Sequence, residues 1–99
     1  MKINIKSLKF DADGKLLSYV EKKVIKLEKF FDNVSDADVT LALLNEPLNK
    51  QARIQLRVPG QDLVVERNAS TFEDAVTQCV DAMKERIVRN KEKKLYLIK

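Results

Sequence analysis

Few side chains in this sequence have the types and spacing that chemistry needs. Cys79 is the only cysteine and there is no histidine. Neither a Cys/His zinc site nor a Ser-His-Asp or Cys-His nucleophile can therefore be assembled within the chain. Cys79 falls in an apolar stripe with Phe72, Val76, Val80 and Met83, where burial makes a thiol inert. Asp36 and Asp38 could do acid–base work, but nothing places them in a pocket, and they read as solvated loop charge. Asp11-x-Asp13-Gly14 carries part of a calcium-loop pattern without its further oxygen ligands or distal glutamate, and reads as a helix start. Asn68-Ala69-Ser70 fits the glycosylation triplet, which carries no weight without a secretory signal. Two isolated glycines make no phosphate loop. No catalytic residue, metal, cofactor or small-molecule substrate is expected. The remaining chemistry is cationic.

Of the 99 residues, 19 are Lys or Arg and 15 are Asp or Glu, for a net charge of +4. The charge is uneven. Residues 22–29 hold four lysines against Glu28, and residues 84–99 hold seven bases against Glu85 and Glu92. The intervening residues 30–83 hold four bases against nine acids. Two basic segments in an otherwise acidic middle suggest a polyanionic partner, provided the fold brings them together. Lysine-rich faces also serve solubility alone, so charge by itself leaves both readings open.

The elements that must position these cations follow from periodicity. Residues 1–10 alternate as a strand. Asp13 or Asp11 then caps a helix in which Leu16, Leu17, Val20, Val24, Leu27 and Phe31 share one face. Lys15, Lys22, Lys26 and Lys29 fall on the opposite face. Residues 39–44 read as a buried strand, and residues 52–58 as a strand with Arg53 and Arg57 outward. Pro59-Gly60 fits the centre of a type II turn into a returning strand over residues 63–68. Ser70-Thr71-Phe72-Glu73 has the capping-box pattern, with Ser70 as cap, ahead of a long helix that buries Phe72, Val76, Cys79, Val80, Met83 and Ile87. That helix outruns a six-residue strand, at about 36 Å against about 20 Å, so its basic end should project past the sheet.

The expected fold class is α+β, in the order β-α-β-β-β-α, with a four-stranded mixed sheet and two helices packed on one face. One domain over residues 1–94 is expected, with an apolar tail at 95–99 that could extend the helix, fold back or dock on a partner. Side-by-side helices would bring the two basic segments together, and the outer sheet face would add Arg53, Arg57, Lys2 and Lys6. Tyr19 and Phe30 flank the lysine row as core-edge residues. No stretch is apolar enough to span a membrane and no signal peptide is visible, so a cytoplasmic protein with no membrane partner is expected.

Three segments carry a resemblance. Val24-Ile25-Lys26-Leu27-Glu28-Lys29-Phe30, the hairpin from Ala52 through Val58-Pro59-Gly60 to Leu63, and Phe72-Glu73-Asp74-Ala75-Val76 opening a basic helix occur in order over about residues 1–94. Together they resemble the ribosome hibernation promoting factor and ribosome-associated inhibitor family, also described as ribosomal subunit interface proteins. The resemblance implies a bacterial, non-enzymatic translation inhibitor acting in stress and stationary phase. It would bind the small ribosomal subunit through ribosomal RNA at the intersubunit decoding region, blocking the tRNA and mRNA path. Lys23, Lys26 and Lys29 match basic positions of the family's first helix, and Arg89 and Lys91 match positions near the end of its last. Ala82, Glu85 and Val88 depart from positions often basic in the family, while Lys84, Arg86 and Lys93 put charge on nearby turns. The expected RNA-binding set is Lys22, Lys23, Lys26, Lys29, Lys84, Arg86, Arg89, Lys91, Lys93 and Lys94. The chain ends where longer members continue into a ribosome-pairing domain, which implies a short form without it. The alternatives are a protein-interaction module and a general double-stranded RNA binder.

Overall fold

Alternation of buried and exposed side chains builds the sheet in the computed structural model, which describes residues 1–30 and 34–97, with side chains through residue 86 apart from residue 61. The strands are β1 (Lys2–Leu8), β2 (Asp36–Leu43), β3 (Lys50–Val58) and β4 (Gln61–Ala69). They lie in the order β1-β2-β3-β4. β1 pairs parallel to β2, and the other two pairs are antiparallel. The helices are α1 (Gly14–Ile25), continued by a 3-10 turn at Lys26–Lys29, and α2 (Phe72–Leu97). The observed order and mixed sheet are those expected from the sequence. α1 is the crossover between the parallel strands, and α2 lies over β3 and β4 on the same face.

One core holds these layers together. Val20, Val24 and Leu27 pack with Val39, Leu41, Ala52, Ile54 and Leu56 of the sheet and with Val76, Cys79 and Met83 of α2. Loss of a fully buried leucine such as Leu56 to alanine costs about 2–5 kcal/mol in cores of this kind. Phe31 and the side chain of Ile87, both expected in the core, lie outside the described residues.

Local chemistry fixes the ends of the elements. Of the two candidate aspartates, Asp13 caps α1: its Oδ1 accepts the Leu16 N–H at 2.8 Å. α2 is capped one residue later than the capping-box pattern suggested. Thr71 Oγ1, not Ser70, accepts the Asp74 N–H at 3.1 Å, and the Thr71 carbonyl accepts from Ala75. Phe72 can then begin the helix and stack on Phe10, ring centroids 4.4 Å apart. Gly60 takes φ +88°, as the second central residue of a type II turn must.

β2 begins three residues earlier than its apolar run. Asp36 and Asp38 are strand residues on the outer face, not loop charges, and both carboxylates meet Arg57 across the ladder at 2.9 and 2.8 Å. Asp38 also accepts from Asn4 at 3.1 Å. The Asp36 hydrogen bond, followed by the Asp38 charge, holds the Arg57 guanidinium above its ordinary range. The same alternation alters the expected charge of this face. Lys2, Lys6, Arg53 and Arg57 share it with Asp36, Asp38, Asp62 and Glu66, so the outer sheet face is balanced, not basic.

Candidate nucleic-acid interface

The lysines of α1 belong to a face that the core leaves free. Val20, Val24 and Leu27 bury one side of the α1 segment, and helical periodicity sends Lys22, Lys26 and Lys29 to the other. All three are exposed. Tightening to a 3-10 turn at Lys26–Lys29 keeps Leu27 buried while the lysines on either side stay in solvent.

Two contacts set the second helix beside the first. The Tyr19 hydroxyl and Thr77 Oγ1 share a hydrogen bond of 2.9 Å. Further along both elements, the Lys84 ammonium lies 5.5 Å from the centroid of the Phe30 ring. Early residue thus meets early residue and late meets late, so α1 and α2 run parallel. Their C-terminal ends point to the same pole of the molecule, where the partial negative charge of unpaired carbonyls favours cations. Lys22 and Lys23 occupy the last turn of α1, and Lys26 and Lys29 follow at once.

The ten expected residues do not form one set. Lys23 and Lys84 lie at the seam between the α1 segment and α2, while Lys26 and Lys29 stand exposed in the 3-10 turn at the same end. Lys23 lies 5.6 Å over the Tyr19 ring, half-buried. Such cation–aromatic contacts cost a lysine little of its charge and narrow the volume it explores. Lys22 stands on the far flank of α1, beside Met1, Ile3 and Ile25. Arg86 turns to the opposite flank of α2, where it donates to the Val64 carbonyl in a cleft shared with Glu66, Arg67 and Glu85. Arg89, Lys91, Lys93 and Lys94 lie on the continuing backbone of α2, and their side chains lie outside the described residues. Arg86 is level with Val64, close to the start of β4, and eleven residues of α2 still follow; about 16 Å of helix exceeds the about 10 Å of strand left. The tail residues 95–97 continue this helix; residues 98–99 lie outside the described residues.

Acids in this region are few and partly occupied. Glu28, the acid of the first basic segment, takes the N-terminal ammonium of Met1. Asp81 is exposed on α2, one turn before Lys84. Sequence reasoning missed three features here. Tyr19 and Lys23 stand four residues apart on one helix, a spacing that could have flagged the pair. The Tyr19–Thr77 and Phe30–Lys84 contacts join residues more than fifty apart and have no local signal. Both aromatics are core-edge residues, as expected, and both help hold a lysine.

The rest of the described molecule offers no competing chemistry. Cys79 is fully buried, with its Sγ 3.2 Å from the Ala52 carbonyl. Burial pushes the thiol up to about 11. Among the described residues no group of three or more His, Cys, Asp or Glu side chains could hold a metal ion. No described helix is long and apolar enough to cross a membrane. What the described arrangement can do is present Lys23, Lys26, Lys29 and Lys84 toward one end of the paired helices.

Known proteins share this fold. The chain is 26% identical over 95 residues to a ribosome hibernation promoting factor of Azotobacter vinelandii, covering 96% of this chain and 87% of that one. It is 28% identical over 97 residues to the ribosome hibernation promotion factor of Bacillus subtilis, covering 94% of this chain and 50% of that one. The crystal structure of the N-terminal domain of Thermus thermophilus Protein Y superposes with a TM-score of 0.78 at 27% identity, covering 90% of this chain and 98% of that one. A ribosomal subunit interface protein from Coxiella burnetii shares the fold, with a TM-score of 0.83 at 16% identity, covering 93% of this chain and 99% of that one. A family model described as sigma 54 modulation protein / S30EA ribosomal protein matches residues 3–95. The chain therefore belongs to the sigma 54 modulation protein / S30EA ribosomal protein family, the one that holds the ribosome hibernation promoting factors.

Proposed function

We propose that this protein is a ribosome hibernation factor that binds the small ribosomal subunit at its intersubunit decoding region and blocks the tRNA and mRNA path. Membership in the family makes it a binding protein and not an enzyme. The observation that carries the reading is the parallel pair of helices, which directs Lys23, Lys26, Lys29 and Lys84 and the basic end of α2 to one pole. Cations so placed complement ribosomal RNA phosphates, and the projecting end of α2 suits a groove deeper than the sheet could enter. Inhibition is steric: the domain occupies space that the translation ligands need. The cytoplasm is where this action would take place. Arg89, Lys91, Lys93 and Lys94 are assigned to the same surface, with Lys22 and Arg86 at its flanks.

Sedimentation with purified small subunits tests the proposal. Co-sedimentation is expected at low salt, and absence from the subunit fraction would sink it. With five to eight phosphate contacts, raising salt from about 50 to about 200 mM should weaken binding by about two to four orders of magnitude. Lys26→Glu combined with Arg89→Glu should abolish co-sedimentation while the melting temperature stays near that of the parent. Generic duplex RNA should compete poorly; equal competition would mark a general double-stranded RNA binder instead.

A further inference from the structure

The two edges of the sheet are finished differently. At β4 two outward carbonyls are occupied by side chains: Arg86 donates to Val64, and Arg67 donates to Glu66 at 2.8 Å. At β1 no side chain reaches the outer edge among the described residues. The Lys2 N–H donates to Ser35, on the β2 side. In a parallel ladder alternate residues share that orientation, so Lys2, Asn4, Lys6 and Leu8 face β2. The N–H and C=O groups of Ile3, Ile5 and Ser7 therefore point away from the sheet, unpaired among the described residues.

The surroundings of this edge have a definite chemistry. On the helix side lies an open groove of about 390 Å³, lined by Met1, Ile3, Glu21, Lys22 and Ile25. Ile25 is 41% exposed, unusual for an isoleucine on an otherwise amphipathic helix. On the outer side Lys2 and Lys6 are exposed and make no ion pair among the described residues. The nearby acids Asp36 and Asp38 are engaged by Arg57.

We infer that β1 is a docking edge for an extended acidic–apolar segment of a partner protein, which adds as a fifth strand. Its main chain would bond to Ile3, Ile5 and Ser7. Apolar side chains at alternate positions would fill the groove beside Ile3 and Ile25, and acids at the positions between would face Lys2 and Lys6. A second copy of this chain does not fit. Antiparallel pairing of β1 with itself sets lysines opposite or diagonal to lysines, which is destabilising, and edge lysines are a known guard against such pairing. The docking edge meets the proposed RNA surface only at Lys22, and Ile3, Ile5 and Ser7 lie apart from Lys23, Lys26, Lys29 and Lys84.

The test titrates the isotope-labelled full chain with an end-blocked peptide of about ten residues that alternates valine and glutamate. Amide shifts and slowed hydrogen exchange are expected at Ile3, Ile5 and Ser7, with half-saturation below about 1 mM. A valine–lysine peptide should bind at least about tenfold more weakly, and Lys2→Glu with Lys6→Glu should reverse that order. Ser7→Pro removes one outward donor and should abolish binding while the circular dichroism melt remains cooperative. Equal affinity for the two peptides, shifts confined to β4 or to Lys26–Lys29, or no shift up to about 1 mM would overturn the inference. So would sedimentation showing that the chain pairs with itself through β1.

Discussion

The Tyr19 hydroxyl meets Thr77 while its ring lies beneath the Lys23 ammonium, so one side chain sets both helix spacing and the placement of a cation. Tyr19→Phe keeps the ring and removes the hydrogen bond; thermal or chemical denaturation should show a loss of about 0.5–1.5 kcal/mol. Subunit affinity should fall further in Tyr19→Leu, which removes the aromatic face as well. Cys79 is silent in binding but visible in a pH titration. Its thiol ionises at about 11 in the folded protein against 9.0 ordinarily. The unfolded chain loses this proton first as pH rises, so stability from this group is intact below pH 9.0 and declines toward about 11. Denaturant melts across that window should give a shallower decline in Cys79→Ala than in the parent.

At the scale of elements, the caps separate two adjacent hydroxyls. Thr71→Ala should destabilise by about 0.5–2 kcal/mol, whereas Ser70→Ala should stay within about 0.5 kcal/mol, as denaturation midpoints would show. The contrast also shows where the sequence was legible. The β3–β4 hairpin announced itself because Pro59 and Gly60 have one good solution between alternating strands. Likewise the apolar stripes of both helices follow directly from spacing. Ser70 and Thr71 could not be told apart, since each precedes a plausible first turn and the choice is made by Phe72 stacking on Phe10. The start of β2 was hidden for a similar reason. Asp36 and Asp38 look like loop residues until Arg57, some twenty positions away, is seen opposite them. In the candidate interface, the lysine row of α1 was legible from periodicity. The flank positions of Lys22 and Arg86 were not, because they depend on which neighbour each helix meets.

For the molecule as a whole, the net charge of +4 is a poor guide to how it acts. Lys23, Lys26, Lys29 and Lys84 stand toward the C-terminal ends of the helix pair, and the outer sheet face cancels its own charges. Asp81 is an exposed acid one helical turn before Lys84, so Asp81→Asn should tighten subunit binding, most clearly at low salt where surface fields reach furthest. A filter-binding salt series should show this as a higher intercept with nearly the same slope, since no phosphate contact is added.

The balanced outer face has a consequence for stoichiometry. A protein with cations on every side can bridge two polyanions, and mixtures with RNA then build networks and turn cloudy. Here the bases of the sheet are matched by carboxylates on the same surface, so under the proposed function one molecule should have a valence of one. Mixtures with excess RNA should remain clear and saturate at a single ratio. Arg57 and its two aspartates would thus limit the number of RNA molecules held by the proposed surface, without touching any of them.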